Sequence, residues 1–225
     1  LNIKIEEQLL PITPASHYSM GGIKTDINAK TNIKNLFACG ECAEASIHGA
    51  NRLGGNSLLE IVTFGKIAGT NASNDEKNIS KIHTLNKSLK QDEENINKIY
   101  NYSNKINFYK QKDDIGNLLF NNLGLFRNEE KISTLIKKIE ELNLEIENMG
   151  IADKSKTYNK NLVEFLEFRN VLNVALLVSI SALNRKESRG SHFRLDYPSE
   201  MQKYEKNTII KKVNDKIVVE FEEIV

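Results

Sequence analysis

The feature that most constrains this chain is a glycine-rich loop at residues 46–60, which reads SIHGANRLGGNSLLE and contains a single arginine. Glycine allows the backbone to approach a ligand closely and to adopt dihedral angles that other residues avoid. Arg52 adds a planar fork of donors that fits a carboxylate at two points. The loop therefore predicts a site where backbone lies against a ligand and a fixed cation meets an anion.

A helix is predicted directly after this loop. Asn56 and Ser57 are residue types that cap helices, and the residues from about Leu58 to Gly69 favour a helix. The N-terminus of a helix carries partial positive charge and free N–H groups. We therefore expect the start of this helix to face an anionic group.

Composition excludes several classes of protein. The chain has 225 residues, of which 40% are hydrophobic and 27% charged, and its net charge is +1, so no overall field draws it to nucleic acid or an anionic membrane. The longest uncharged apolar run, residues 170–184, is too short to span a bilayer. Residues 1–10 lack the apolar stretch of a signal peptide. The chain opens at Leu1 without a Met, as a piece of a longer protein would.

The two cysteines, Cys39 and Cys42, argue against a disulfide framework. Their spacing is also that of a redox pair or of half a zinc site, for which only His48 lies nearby as a further ligand. The apolar run Leu36–Cys39 instead predicts a buried strand that ends at Gly40. We expect both cysteines to be small buried side chains, with no metal site.

The predicted fold class is α/β plus α. Residues 1–72 carry the dense loop chemistry with short strands and are α/β in character. Residues 73–185 predict a helical bundle domain. Residues 186–225 predict a C-terminal segment with a small β-hairpin.

Individual elements follow from spacing and turn chemistry. The predicted elements are an extended segment over residues 1–13, strands at Ile23–Asp26 and Leu36–Cys39, exposed helices and linkers over residues 71–112, an amphipathic helix at residues 129–148 ended by Gly150, a buried central helix at residues 162–183, and hairpin strands at residues 208–213 and 216–221 about Asn214-Asp215. His83 lies in a polar stretch and is expected to be solvated.

A charged cluster follows the predicted buried helix. Its members are Arg185, Arg189, His192, Arg194 and Asp196. Acidic residues alternate with basic ones here, which favours a structural ion-pair network between the helical domain and the rest. A phosphate or nucleic-acid patch and a contact with a partner subunit are the alternatives.

Four motifs in this order resemble a known family. They are HYSMGG at residues 17–22, LFACGE at 36–41, HGANRLGGNSL at 48–58 and RKESRGSHFRLD at 185–196. Together they resemble the C-terminal half of the flavoprotein subunit of the succinate dehydrogenase and fumarate reductase family. The resemblance covers essentially the whole chain and is loosest between about 73 and 160. It implies that residues 1–72 are the C-terminal part of an α/β domain that binds FAD and substrate.

The resemblance implies an FAD enzyme that moves a hydride between flavin and a C4 dicarboxylate, succinate or fumarate. It implies an iron–sulfur subunit and a membrane-anchor subunit as partners, and a peripheral position on the cytoplasmic face of the inner membrane. The family's dinucleotide-binding glycine motif, its flavin-linked histidine and its proton-delivering arginine would lie before Leu1. By this interpretation the chain holds half an active site and is inactive alone.

The resemblance also implies roles for individual residues toward the substrate. Arg52 would clamp one substrate carboxylate, and His17 would donate a hydrogen bond at the other end. Each has a structural alternative: an ion pair that holds the loop for Arg52, and a satisfied structural histidine for His17.

Other residues would contact FAD. Glu41 resembles the acid that holds a ribose hydroxyl, although it could instead form a salt bridge. Ser57 and Leu58, with Asn56 beside them, would place the helix start at the flavin pyrimidine edge, and Tyr18 would lie next to the flavin.

Two other functions stay open at this point. L-aspartate oxidase shares much of the pattern, but we expect Met-Ala-Ser there in place of Leu53-Gly54-Gly55. The chain could also be a non-catalytic piece whose helical domain binds another subunit.

Overall fold

The computed structural model describes residues 4, 6–10, 12, 17–75 and 82–224, without the side chains of residues 75 and 82–86. It divides the chain into two compact units, Leu1–Asn78 and Ile79–Val225, whereas the sequence analysis drew its first boundary after residue 72. The extended segment predicted over residues 1–13 is wrong for part of the residues that are described there: the amides of Glu7 and Gln8 donate to the carbonyl of Lys4, which forms a turn. The side chain of His83 lies outside the described residues.

The first unit is built around one long helix. Its elements are β1 (Ile23–Lys24), a 3-10 turn (Gly40–Cys42), β2 (Ala43–Glu44) and α1 (Asn56–Asp75). Strands β1 and β2 are parallel, with Ile23 opposite Ala43. Phe64 and Ala68 on α1 pack with Ala29, and Phe37, Cys39, Ala45 and Ile67 surround them. The loop of residues 26–45 is thereby held against the helix.

Two predictions in this unit are wrong. Leu36–Cys39 is not a strand: only Phe37 forms an isolated bridge, to Lys30, and Leu36 is exposed. The chain reverses direction within residues 26–38, and this short turn places only one residue pair in position to form a β-bridge, so no strand develops.

The cysteines, which were predicted to be buried, are free thiols, Cys42 exposed and Cys39 partly buried. Cys42 is the last residue of the 3-10 turn, and only Gly40 of that turn is buried. No cluster able to hold a metal ion occurs among the described residues.

The start of α1 also differs from the prediction. Asn56 and Ser57 lie inside the first turn, so neither caps it. Gly55 precedes the helix with a φ of 87°, in the left-handed region. The helix runs six residues beyond the predicted end at Gly69, to Asp75.

The second unit is a helical bundle with small β elements, which confirms the predicted helical domain and C-terminal β element. Its elements are α2 (Ile82–Asn101), α3 (Phe108–Leu123), β3 (Phe126–Arg127), α4 (Glu129–Leu144), a 3-10 turn (Ile146–Asn148), α5 (Lys160–Asn184), β4 (Phe193–Arg194), a 3-10 turn (Gln202–Tyr204), β5 (Asn207–Val213) and β6 (Lys216–Glu222). Asparagines cap three helices: Asn107, Asn128 and Asn159 accept hydrogen bonds from backbone N–H groups of the first turns of α3, α4 and α5.

Helices α2, α3, α4 and α5 all contribute to the core of this unit. The amphipathic helix predicted at 129–148 is confirmed as α4 followed by a 3-10 turn. The core consists of Ile99, Phe108, Ile115, Leu123, Ile132, Leu135, Ile139, Leu142, Met149, Ile151, Phe165, Phe168, Leu172, Ala175 and Ala182. Apolar residues recur at helical spacing along one face of α4, and those at its centre are buried because this face packs between α3 and α5. The buried residues are Ile132, Leu135, Ile139 and Leu142.

Helix α5 is only partly the buried central helix that its composition predicts. One face, with Phe165, Phe168 and Leu172, has no exposed surface, whereas Val174 on another face is 58% exposed. By length and composition α5 is the one helix among the described residues that could cross a membrane. The prediction that no segment is long enough to span a bilayer rested on the uncharged run at residues 170–184, whereas the helix itself is 25 residues long. The packing of the Phe165 face into the bundle is that of a core helix.

The C-terminal hairpin agrees with its prediction. Strands β5 and β6 are antiparallel, with Val213 opposite Lys216. Asn214 and Asp215 between them have φ values of 48° and 61°. These left-handed residues form the two-residue turn whose twist matches that of the strands.

The charged cluster is a structural network, as predicted. Arg194 has no exposed side-chain surface and pairs with Asp196, Nη2 to Oδ2, at 2.7 Å. Its Nη1 donates to the carbonyls of Ala182 and Leu183, at 2.9 and 3.1 Å, near the end of α5. The network therefore joins the helices to the C-terminal segment within one unit.

A fully buried carboxylate, Glu187, completes this network. It has no exposed side-chain surface, forms ion pairs with Arg185 and Arg189, and accepts from the amide of Met201 at 2.8 Å. Burial acts to raise the pKa of Glu187, but these hydrogen bonds and the two guanidinium charges outweigh it, so the pKa is lowered. Arg185, Arg189 and Arg194 are thus each paired with a carboxylate, unlike the arginines of a phosphate or nucleic-acid patch.

His192 makes this unit sensitive to acid. Its Nε2 donates to the Arg185 carbonyl at 3.0 Å and its Nδ1 accepts from Arg127 at 2.8 Å, so the ring is neutral. Burial, with the charges of Arg127, Arg194 and Arg185, lowers the pKa of His192 to about 4. The unfolded chain, with a histidine pKa of about 6.5, binds the proton first.

We therefore expect the free energy of unfolding to decrease as the pH falls from about 6.5 to 4. Protonation of His192 should account for up to about 3 kcal/mol of this decrease. Urea unfolding of the chain at several pH values measures this. His192→Gln should flatten the slope in that window. An equal slope in both proteins would contradict the assignment.

Candidate functional site

The glycine-rich loop and the His17 motif meet at Arg52. Its Nε donates to the carbonyl of Ser19 at 3.0 Å, and its amide donates to Sδ of Met20 at 3.2 Å. The guanidinium carbon lies 5.6 Å from the centre of the Tyr18 ring, which His17 approaches edge-on at 5.2 Å. Two motifs more than 30 residues apart thus form one site, with only 5% of the Arg52 side chain exposed.

Gly22 permits the close approach on which this site depends. A Cβ added there would lie 2.4 Å from the carbonyl oxygen of Cys42 and 2.9 Å from the carbonyl carbon of Ala43, both backbone atoms. The parallel pair β1–β2 begins at this point. A side chain at this position would push the His17 motif away from the strand that follows Glu41.

We expect Gly22→Ala to destabilise the first unit by about 1–3 kcal/mol, because backbone must move to admit the methyl group. Gly54→Ala is the matched control, since a Cβ there meets no atom within 4 Å. Urea unfolding followed by circular dichroism compares the two. Equal stability of the two variants would contradict the close-approach argument.

The main partner of Arg52 is a carboxylate that the sequence analysis did not identify. Glu60 lies in the second turn of α1 with 2% of its side chain exposed, and its Oε2 is 2.5 Å from Nη1 of Arg52. The ion-pair alternative raised for Arg52 is thus present in the structure. The signal was available, because Glu60 interrupts an otherwise apolar stretch of the helix.

His48 completes a buried triad with these two residues. Its Nε2 lies 2.8 Å from Oε2 of Glu60 and 3.0 Å from Nη1 of Arg52. Since Arg52 can only donate and the carboxylate can only accept, a hydrogen on Nε2 directed at Glu60 gives the favourable arrangement. The buried Nδ1 then has no hydrogen-bond partner within the described part of the chain.

One side of the guanidinium is less engaged than the rest. Nη1 is held by Glu60, and Nε by Ser19. Nη2 has a single contact in the described ranges, 3.5 Å to the Ala43 carbonyl, at the outer limit of a hydrogen bond. The N–H groups of Nη2 are therefore the least engaged donors of this guanidinium.

Glu41 is fixed to the same motif. Its Oε1 accepts from the amide of Ser19 at 2.8 Å, and the residue is exposed. The salt-bridge alternative finds no support, because no cation pairs with Glu41 among the described residues. Its second oxygen is suited to accept a hydrogen bond from a hydroxyl group.

The start of α1 and the glycines before it fit a flat, anionic cofactor. Ser57 is 7% exposed and Leu58 is 65% exposed, and in the described structure their amides make no hydrogen bond. At Gly49 and Gly55, as at Gly54, an added Cβ would meet no atom within 4 Å, so the loop has open space beside it. The residues present therefore fit FAD, since free backbone N–H groups at a helix start suit an anionic group.

The structure brings His17, Tyr18, Glu41 and Arg52 together. Asn56, Ser57 and Leu58 lie at the helix start directly after the loop that carries Arg52. Glu60 and the Ser19 carbonyl are the interactions that sequence reasoning missed. The roles toward substrate and FAD given to the predicted residues stay predictions.

A buried arginine that donates to a carboxylate and to backbone carbonyls, next to a glycine loop and a helix start, is an arrangement that suits a flavoprotein. Residues 1–58 match the family profile described as an FAD binding domain, and residues 112–225 match the profile described as fumarate reductase flavoprotein C-term. The chain belongs to the fumarate reductase and succinate dehydrogenase flavoprotein family, whose members are FAD-dependent oxidoreductases.

Named relatives agree with this assignment. The fumarate reductase flavoprotein subunit of Escherichia coli is 38% identical over 192 residues, 83% of this chain and 31% of the relative. The 8-methylmenaquinol:fumarate reductase flavoprotein subunit of Wolinella succinogenes is 38% identical over 203 residues, 87% of this chain and 33% of the relative. The chain spans about a third of the length of the curated relatives it matches.

Solved structures show the same fold. E. coli quinol fumarate reductase FrdA matches with a TM-score of 0.93 and 33% identity, over 99% of this chain and 39% of that chain. The Sdh1 complex of Mycobacterium smegmatis matches with a TM-score of 0.76 and 27% identity, over 92% of this chain and 36% of that chain.

Proposed function

We propose that this chain is the C-terminal part of the catalytic machinery of an FAD-dependent oxidoreductase that interconverts fumarate and succinate. The observation that supports this most is the Arg52 guanidinium, which is buried and held at Nη1 and Nε while its Nη2 makes only one long hydrogen bond. An oriented fork next to a flavin-binding loop suits one carboxylate of a C4 dicarboxylate.

The chain's own residues bind and orient the substrate. Arg52 holds one carboxylate, and His17, whose ring also contacts that of Tyr18, donates a hydrogen bond to the opposite end. Gripping both ends fixes the C2–C3 bond for reaction, which contributes through orientation. Residues 56–58 and Glu41 hold FAD, which supplies or accepts the hydride when it is bound.

The partners and location follow the same proposal. Quinol fumarate reductase and the Sdh1 complex are assemblies, and we propose an iron–sulfur subunit and a membrane-anchor subunit as partners here. The protein would then lie on the cytoplasmic face of the inner membrane, attached through those subunits.

The test uses the native flavoprotein, by which we mean the FAD-loaded protein in which this chain occurs in the cell. We expect fumarate to oxidise a reduced viologen dye in its presence, and succinate to reduce an oxidised dye. Peroxide production from L-aspartate without either dye reaction would contradict the proposal and favour an L-aspartate oxidase. A protein without flavin would favour a non-catalytic role.

A further inference from the structure

We propose that Glu60 is a positioning residue for the substrate clamp: it fixes the Arg52 guanidinium so that Nη2 is presented to the dicarboxylate, and His48 holds Glu60 in place. The inference rests on the proposed function, since it assigns a role within the same site. It concerns a residue that contacts Arg52 and not the substrate.

The first argument is the cost of the arrangement. The side chains of Glu60 and Arg52 are 2% and 5% exposed, so both charges are largely removed from water. Buried ion pairs often contribute nothing net to stability, because desolvation offsets the attraction. A pair that adds little to stability is best explained by what it does to the orientation of Arg52.

The second argument is the geometry around the guanidinium. A free arginine side chain has many rotamers, and a substrate would have to order it on binding. Here Glu60 on α1 holds Nη1 at 2.5 Å, and the Ser19 carbonyl holds Nε at 3.0 Å on the opposite side. Two fixed contacts on a rigid planar group determine the direction of the remaining edge, so Nη2 is preorganised.

The third argument concerns the Glu60 carboxylate itself. Its Oε2 receives both Nη1 of Arg52 and Nε2 of His48, at 2.5 and 2.8 Å. His48 belongs to the glycine-rich loop and Glu60 to α1, so the triad ties the loop to the helix. A carboxylate fixed by a second donor cannot follow Arg52 if a substrate attracts the guanidinium.

The test measures malonate binding to the native flavoprotein through the change in flavin absorbance, together with turnover of fumarate. Glu60→Gln keeps the size of the side chain and removes its charge. We expect the dissociation constant of malonate to rise about tenfold or more and kcat/KM for fumarate to fall by a similar factor, with flavin still bound. Unchanged values would overturn the proposal.

A double-mutant cycle separates positioning from general damage. If Glu60 acts through Arg52, adding Glu60→Gln to Arg52→Lys should change the malonate dissociation constant less than about twofold. An equal factor in both backgrounds would overturn the proposal. Glu187→Gln, which removes a buried, arginine-paired carboxylate of the second unit, is the matched control and should leave malonate binding unchanged.

A second variant keeps the test decisive if Glu60→Gln loses flavin. Glu60→Asp retains the charge but is one methylene shorter, so the guanidinium must shift to reach it. We expect a severalfold weaker affinity for malonate with flavin retained, and an unchanged affinity would overturn the proposal. Failure of the proposed function is distinguishable, because Arg52→Lys would then leave malonate binding intact as well.

Discussion

Replacing Arg52 with lysine should abolish fumarate turnover in the native flavoprotein while FAD stays bound. Lysine keeps the positive charge but offers a single ammonium group in place of a planar fork. It cannot satisfy the Ser19 carbonyl, Glu60 and a substrate carboxylate in the directions that the structure requires. We expect kcat/KM to fall by at least a thousandfold, of which each factor of ten corresponds to about 1.4 kcal/mol of transition-state stabilisation.

Steady-state kinetics and the flavin absorption spectrum together measure this. Arg169→Lys, at a partly buried position of α5, is the control and should leave kcat/KM unchanged. A near-normal kcat/KM in the Arg52 variant would reject the clamp and leave the ion pair with Glu60 as the only role of this residue.

Arg194→Met should destabilise the second unit by about 3–5 kcal/mol. Arg194 is fully buried, so its removal leaves buried acceptors without a donor, at about 1–3 kcal/mol each, and opens a cavity. Asp196, whose pKa the hydrogen bonds from Arg194 lower to about 2, would lose its counter-ion. The carbonyls of Ala182 and Leu183 near the end of α5 would also lose their donor.

Urea unfolding of the chain, followed by helical circular dichroism, measures the loss. Arg169→Met is the comparison, because Arg169 makes no ion pair with any described residue, and it should cost less than about 1 kcal/mol. A similar small effect at Arg194 would show that the network is not what joins the helices to the C-terminal segment.

The elements that could be predicted are those encoded locally. Helix α4 follows from the 3.6-residue spacing of its apolar positions, and the β5–β6 hairpin follows from Asn214-Asp215 between two alternating strands. Each of these signals lies within about 20 residues, so no distant partner is needed to interpret it.

The elements that could not be predicted depend on distant partners. Strands β3 and β4 pair Phe126 with Phe193, across 67 positions, and two-residue strands leave no periodic pattern. Leu36–Cys39 has the composition of a strand but lacks a neighbour to complete a ladder. The exposed face of α5 could not be predicted from the sequence. This helix is apolar nearly all round, so the pattern of its residues does not indicate which side is buried.

The candidate site divides in the same way. Arg52 stands out because an arginine among glycines has few structural explanations, and the resemblance points to His17 and Glu41. Glu60 was not predicted as a partner of Arg52, because the two side chains meet only through the turn at Gly55, and the sequence does not show the direction in which the helix leaves that turn. The Ser19 carbonyl was missed because backbone acceptors carry no sequence signature.

A crystal structure of the native flavoprotein with FAD and malonate bound would test directly whether Arg52 binds a substrate carboxylate. We predict Nη2 of Arg52 within hydrogen-bond distance of a malonate carboxylate oxygen, with Nη1 still on Glu60. Malonate bound elsewhere, with the guanidinium engaged only by Glu60, His48 and Ser19, would contradict the account.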